Sequence, residues 1–155
     1  MKKTNAIRIL ESLGIKFETA SYEFTEDEID ALTVAKKIEA EGDIVFKTLV
    51  TNGDKTGINV FCIPAETELN LKKAASASGN KKIEMVHVKD LLPLTGYIRG
   101  GCSPIGMSKK YPTFIEETAL MFDMIFVSAG IRGMQVKISP KDLAQVTQAE
   151  FRDLI

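Results

Sequence analysis

Tryptophan is absent from the 155 residues, histidine occurs once, and cysteine occurs twice. The lone His87 has no second histidine and no cluster of acids near it in the chain, so neither a metal nor another cofactor is expected. Cys62 and Cys102 stand in neither zinc-type nor Cys-x-x-Cys spacing. A disulfide between them stays open, with the reduced thiols of a cytoplasmic protein as the expectation. A surplus of one charge is also missing: 20 Lys and Arg face 21 Asp and Glu, a net −1. Affinity for nucleic acid grows with the number of phosphates neutralised, so this chain should not grip a large one unaided. Long apolar runs are lacking too. The most apolar stretch, residues 119–131, is broken by Asp123 and is too short to span a bilayer. Residues 1–8 carry no apolar core of a secretory signal, so no membrane role is expected. No repeat, low-complexity tract or linker interrupts the chain. With 45% hydrophobic and 26% charged residues, it is expected to form one domain over residues 1–155.

What the sequence does hold gathers in three places. Residues 96–106, Gly-Tyr-Ile-Arg-Gly-Gly-Cys-Ser-Pro-Ile-Gly, carry four of the eleven glycines and one of the five prolines. Glycine lets backbone approach a ligand closely or take positive φ, and consecutive peptide N–H groups in such a loop can form an anion-binding nest. A tight structural turn explains the same composition. The second place is Lys47, inside the apolar run Val45-Phe46-Lys47-Thr48-Leu49-Val50. The third is Ser128-Ala129-Gly130-Ile131-Arg132-Gly133, at the end of a hydrophobic segment.

The pattern of apolar residues predicts mixed helices and strands. Thr4 is placed to cap a helix carrying Ala6, Ile7, Leu10 and Leu13, which Gly14 stops. Phe17–Tyr22 reads as a strand, residues 25–30 as an acidic loop or flap, and Ala31, Val34, Ala35 and Ile38 as a second helical stripe. Residues 44–51 and 58–63 form a hairpin joined through Asn52–Gly57. Strands follow at 83–86, 113–116, 124–128 and 134–138, with helical segments near 69–77, 88–94 and 118–121. Ser139-Pro140-Lys141-Asp142 is a helix start, and Leu143, Val146, Phe151 and Leu154 are expected on one final helical segment. Strict β-α-β alternation is missing, so the expected class is α+β with a mixed, curved sheet.

Each candidate for chemistry has a plain structural reading beside it. Strand alternation puts Val45, Lys47 and Leu49 on one face and Phe46, Thr48 and Val50 on the other. Both faces are apolar, so Lys47 either snorkels to an edge or aims its ammonium into a cavity where a carboxylate, phosphate or developing oxyanion can sit. Ser128 caps a turn or, with the following N–H groups, binds a carbonyl or amino group. Arg99 and Arg132, each beside glycines, can reach a phosphate or ribose at a pocket rim. A Cys102–His87 nucleophile pair is formally available, with no third group to orient it.

Taken together, Val-Phe-Lys-Thr-Leu at 45–49, the glycine stretch at 96–106 and Val-Ser-Ala-Gly-Ile-Arg-Gly-Met-Gln at 127–135 resemble the YbaK/EbsC family. Its best-known members are Cys-tRNA(Pro) deacylases, related to the editing insertion domain of bacterial prolyl-tRNA synthetases. The resemblance runs in order over nearly the whole chain. It implies a partly barrel-like β-sheet surrounded by helices, and removal of a wrong amino acid from the terminal adenosine of tRNA. By the same resemblance, Lys47 matches the essential strand lysine that positions the ester and adenosine. Gly101, beside Gly100, matches the loop lining the amino-acid pocket, and Ser128 and Gly130 match the opposite wall. Tyr22 matches an aromatic near the terminal base, with Thr48, Arg99 and Arg132 as further contacts, while residues 24–30 match least.

The family's mechanism is substrate-assisted. The cysteinyl thiolate attacks its own carbonyl and expels the tRNA 3′-oxygen as a thiolactone forms, so the protein need only orient the ester and stabilise charge. One histidine and no acid–base dyad are then sufficient, and Cys102 becomes a packing residue. The near-neutral charge implies that only the acceptor end is read, with prolyl-tRNA synthetase holding the tRNA body and Lys72, Lys73, Lys109 and Lys110 forming at most a modest basic rim. Two other readings stay open: an Ala-tRNA(Pro) deacylase using water, and a regulator that binds aminoacyl-tRNA without hydrolysing it.

Overall fold

The computed structural model describes residues 3–155. Helix α1 (Asn5–Ser12) starts where the Thr4 hydroxyl accepts the Ile7 N–H, and it buries Ala6, Ile7 and Leu10. Strand β1 (Phe17–Ser21) follows, then α2 (Ala31–Lys37), whose cap Asp30 accepts the Thr33 N–H. These side-chain acceptors satisfy amide donors that the first turn of a helix leaves free. The hairpin β2 (Phe46–Gly53) and β3 (Gly57–Pro64) is longer than the turn residues suggest, because Asn52 and Gly53 still pair, with Ile58 and Gly57. Next come α3 (Leu71–Ser78), β4 (Ile83–Met85), α4 (Val88–Thr95), β5 (Thr113–Glu116), a 3₁₀ turn (Glu117–Met121), β6 (Ile125–Ser128), β7 (Met134–Ile138), α5 (Pro140–Thr147) and β8 (Glu150–Arg152).

The last of these corrects the expected final helix. Gln148 takes the left-handed conformation and closes α5, so Phe151 lies instead on a strand, β8, paired in parallel with β5. Buried Glu116 secures this end: its carboxylate accepts the Thr118 N–H at 2.7 Å and the Leu154 N–H at 2.9 Å.

The strands form two sheets, of order β1-β7-β6 and β4-β2-β3-β5-β8, with both parallel and antiparallel pairs. The α+β class and mixed sheet are therefore as expected. The sheets do not close into a barrel; one parallel bridge, Val45 to Phe126, joins them. The largest core packs Ile7, Leu10, Phe46, Ile115, Ile125, Val127, Val136, Ile138 and Leu143 between α1, α5 and the sheets. Each such side chain contributes roughly 1.5–3 kcal/mol by leaving water. This core uses one face of β6 and β7. Ser128 and Gln135 are left on the other face by strand alternation.

Candidate active site

The joint between the sheets makes the site. Beyond the Val45–Phe126 bridge no ladder continues between β2 and β6, and β4 pairs with β2 only at Thr51–Gly53. Between these points β2 presents an unzipped edge. The hydrogen bonds Ala65 N–H to Val45 O and Val86 N–H to Val50 O fix the alternation. Odd residues from 45 bond toward β3 and even ones face outward, which turns the peptide groups of Thr48 toward the gap. A cleft of ≈ 270 Å³ occupies that gap, lined among others by Lys47, Thr48, Arg99, Gly100, Ser128 and Gln135. It sits just below the ~300–1,000 Å³ typical of drug-sized ligands, so it suits a small acyl group better than a whole nucleotide.

Lys47 is partly buried, and its ammonium lies 3.3 Å from the Ala65 carbonyl oxygen. Burial holds its pKa below the ordinary lysine value, against the opposing pull of Glu68 and Asp30. On the facing wall the Ser128 hydroxyl accepts the Gly130 N–H at 3.2 Å, which leaves its own proton free to donate. The two glycine segments meet at the rim. The Arg132 Nε–H donates to the Arg99 carbonyl oxygen at 2.8 Å, and Gly101 packs against the Ile131–Arg132 backbone. Gly100, at φ +85°, lies so close to Ile29 that an added Cβ would stand 2.7 Å from the isoleucine Cβ.

Lys47, Thr48, Arg99, Gly100 and Ser128 thus share one cleft. Gly101, Gly130, Arg132 and Tyr22, also expected at the site, are not among its lining residues. Gly130 packs on the Tyr97 ring, and the Tyr22 backbone N–H bonds the Gly133 carbonyl oxygen. Sequence reasoning missed the wall formed by Ile29, Asp30, Ala31 and Val34. The helical stripe Ala31-Val34-Ala35 was its available signal. It also missed Gln135.

Cys62 and Cys102 are free and buried. Burial pushes both thiols up to about 12, so neither is an ionised nucleophile near neutral pH. His87 is exposed at the start of α4. The expected basic rim is not a unit: Lys73 pairs with Asp153 at 2.9 Å, and Lys109 and Lys110 line a different groove. Among the described residues, no group of three or more His, Cys, Asp or Glu could hold a metal ion, and no helix is long and apolar enough to cross a membrane.

A family model described as the aminoacyl-tRNA editing domain matches residues 25–146, which include β2, both glycine segments and Gln135. The chain belongs to the aminoacyl-tRNA editing domain family. Within reach of this editing domain is a protein of Enterococcus faecalis described as "Putative Cys-tRNA(Pro)/Cys-tRNA(Cys) deacylase EbsC". It is 48% identical over 99% of this chain and 93% of its own length. A solved structure described as "a putative trans-editing enzyme for prolyl tRNA synthetase" superposes with TM-score 0.84 at 25% identity, over 99% of this chain and 98% of its own. A third, hypothetical protein APE2540, shares the fold at TM-score 0.86 and 18% identity, over 97% and 99% of the two chains.

Proposed function

We propose that this editing domain is a trans-acting deacylase that removes cysteine from mischarged tRNA(Pro), and from Cys-tRNA(Cys) as well. The observation that carries the reading is the Lys47 ammonium in one small cleft with Ser128 and the Arg99–Gly100 turn. The name of the 48% identical relative supports the substrate.

An aminoacyl ester is already activated, so the chemistry needs placement and charge stabilisation more than a protein nucleophile. The substrate thiol loses its proton to water, aided by a pKa near ~8.5. Its sulfur forms a bond to the ester carbonyl carbon, and the oxyanion is stabilised by the Lys47 ammonium and nearby N–H and O–H donors. Collapse breaks the bond to the tRNA 3′-oxygen, which takes a proton from water, and leaves cysteine as a thiolactone that water then opens. High thiol pKa values at Cys62 and Cys102 fit a scheme in which the attacking sulfur belongs to the substrate.

With a net charge of −1, the domain neutralises few phosphates, so the tRNA body is held by a partner, most simply prolyl-tRNA synthetase. Cys-, Ser-, Ala- and Pro-charged tRNA(Pro) decide the reading when ester loss is followed for each. Rapid loss of the cysteinyl ester alone is expected. Equal loss of Ser- and Cys-tRNA would remove the thiol mechanism, alanyl preference would install the water-using alternative, and no turnover would leave a binding regulator. Crosslinking at low salt that yields no ternary complex with the synthetase and tRNA would remove the partner.

A further inference from the structure

Gln135 lines the cleft and carries a polar atom that the fold leaves unserved. Gln135 is 5% exposed, and its Oε1 is buried with no hydrogen-bond partner. Buried polar atoms are nearly always paired, because an unpaired one forfeits about 1–3 kcal/mol. Its neighbours Met134, Val136 and Ile138 face the main core, so alternation turns Gln135 away from it. There it lines the cleft beside Ser128, its register partner across β6 and β7.

We propose that Gln135 is a specificity-determining residue whose side-chain carbonyl oxygen accepts a hydrogen bond from the α-ammonium of the bound aminoacyl group. This rests on the deacylase reading above. The α-ammonium is the strongest donor on an aminoacyl ester, and three of its N–H bonds seek acceptors. Lys47 repels it from the β2 side of the cleft. Gln135 sits two strands over, past Ser128, on the far side of that charge. The other donors fit less well. An acceptor aimed at the thiol would hold the S–H and oppose the ionisation that attack requires. The ribose hydroxyls belong to the tRNA end, at the mouth beside exposed Arg99. A neutral carboxamide also meets the ammonium without burying a carboxylate, which would carry a larger desolvation penalty.

The test compares tRNA(Pro) esterified with cysteine and with 3-mercaptopropionic acid, which lacks only the amino group. Each rate is normalised to its spontaneous hydrolysis. Wild type should prefer the cysteinyl ester by roughly 10- to 100-fold, the range for a hydrogen bond to a charged group. Gln135→Met should remove that preference by slowing the cysteinyl ester while sparing the desamino ester. Gln135→Glu, which keeps an acceptor oxygen in place, should retain the preference, and it decides alone if the methionine variant does not fold. Equal slowing of both esters in Gln135→Met, or loss of the preference in Gln135→Glu, overturns the proposal. Wild type that leaves both esters intact overturns the deacylase reading itself, and this proposal with it.

Discussion

Strand β2 has two ends, and Asn80 at one and Lys47 at the other are served very differently, although Asn59 Oδ1 at the hairpin end is buried without a partner just as Gln135 Oε1 is. At the hairpin end, Asn80 is almost fully satisfied: its Oδ1 accepts the Lys55 and Thr56 N–H groups at 2.8 Å each, and its Nδ2 donates to the Ser78 and Thr56 hydroxyls at 2.8 Å each. At the other end Lys47 reaches one carbonyl at 3.3 Å, Thr48 turns its peptide groups to a gap, and Gln135 Oε1 has no partner. Polar networks that complete themselves fix a structure, whereas groups left open await something else. On the proposed function, changes at the first end should act on stability and changes at the second on reactivity. Substitutions that separate the two properties test this division directly.

The largest separation should come from Lys47→Met. Deacylation of Cys-tRNA(Pro) is expected to fall by about 100-fold or more, the scale for losing one preorganised donor to a developing oxyanion. Folding stability, read from denaturant midpoints, should stay level or rise, because a partly desolvated cation is replaced by an apolar side chain of similar length. A large drop in stability would show that the lysine serves the fold instead. Asn80→Ala should do the reverse. Loss of the five side-chain hydrogen bonds of Asn80 around the β2–β3 turn should lower stability by about 2 kcal/mol, while the folded fraction keeps its turnover number. Gly53→Ala should act in the same direction, since a Cβ there collides with the Asn80 carboxamide.

A pH experiment sharpens the contrast further. The Lys47 pKa is lowered from its ordinary value of 10.5 by burial, so the folded state sheds this proton before the unfolded state does. In the window between the depressed value and 10.5 the unfolded chain binds more protons. This group therefore makes stability increase with pH across that window. Activity should run the other way, declining as the ammonium is lost below pH 10.5. An alkaline limb that is unchanged in Lys47→Arg, whose charge persists throughout, would assign the limb to another group.

How much of this was legible in the sequence follows from whether the cause was local. The Thr4 and Ser139 caps, the β2–β3 hairpin and the strand position of Lys47 depend on neighbours within a few residues, and they were readable. The β8 strand was not, because Phe151 and Leu154 continue the helical spacing of Leu143 and Val146. Only the left-handed turn at Gln148, a residue without glycine's freedom, breaks the pattern. Gln135 was unreadable as a site residue for a different reason. In Met134-Gln135-Val136-Lys137-Ile138 alternation marks it as facing away from the core, which in an isolated sheet means water. That Ala31, Val34 and Val45 line the same cleft as Gln135 is a long-range fact. The three motifs that carried the family resemblance located the cleft, and the wall from Ile29 to Val34 came only with the fold.

The smallest expected effect concerns the cleft residue that looks most like a nucleophile. Cys102 lines the cavity, yet it is 9% exposed and packs with Val50 and Tyr97. Burial holds its thiol near 12, so almost none of it is thiolate at pH 7, and the exposed His87 offers no buried base to change that. Cys102→Ala removes one sulfur from a packed site, so stability should fall by about 1 kcal/mol. Deacylation of Cys-tRNA(Pro) should remain within about threefold of wild type, a change of under 1 kcal/mol in the barrier. The measurement is sharpest with the serinyl ester beside it, because a protein thiolate would attack both esters whereas a substrate thiolate exists only in one. A folded Cys102→Ala protein with no residual turnover on either would move the attacking sulfur from the substrate to the enzyme. In that case the open end of β2 would no longer serve only to position a substrate that attacks itself.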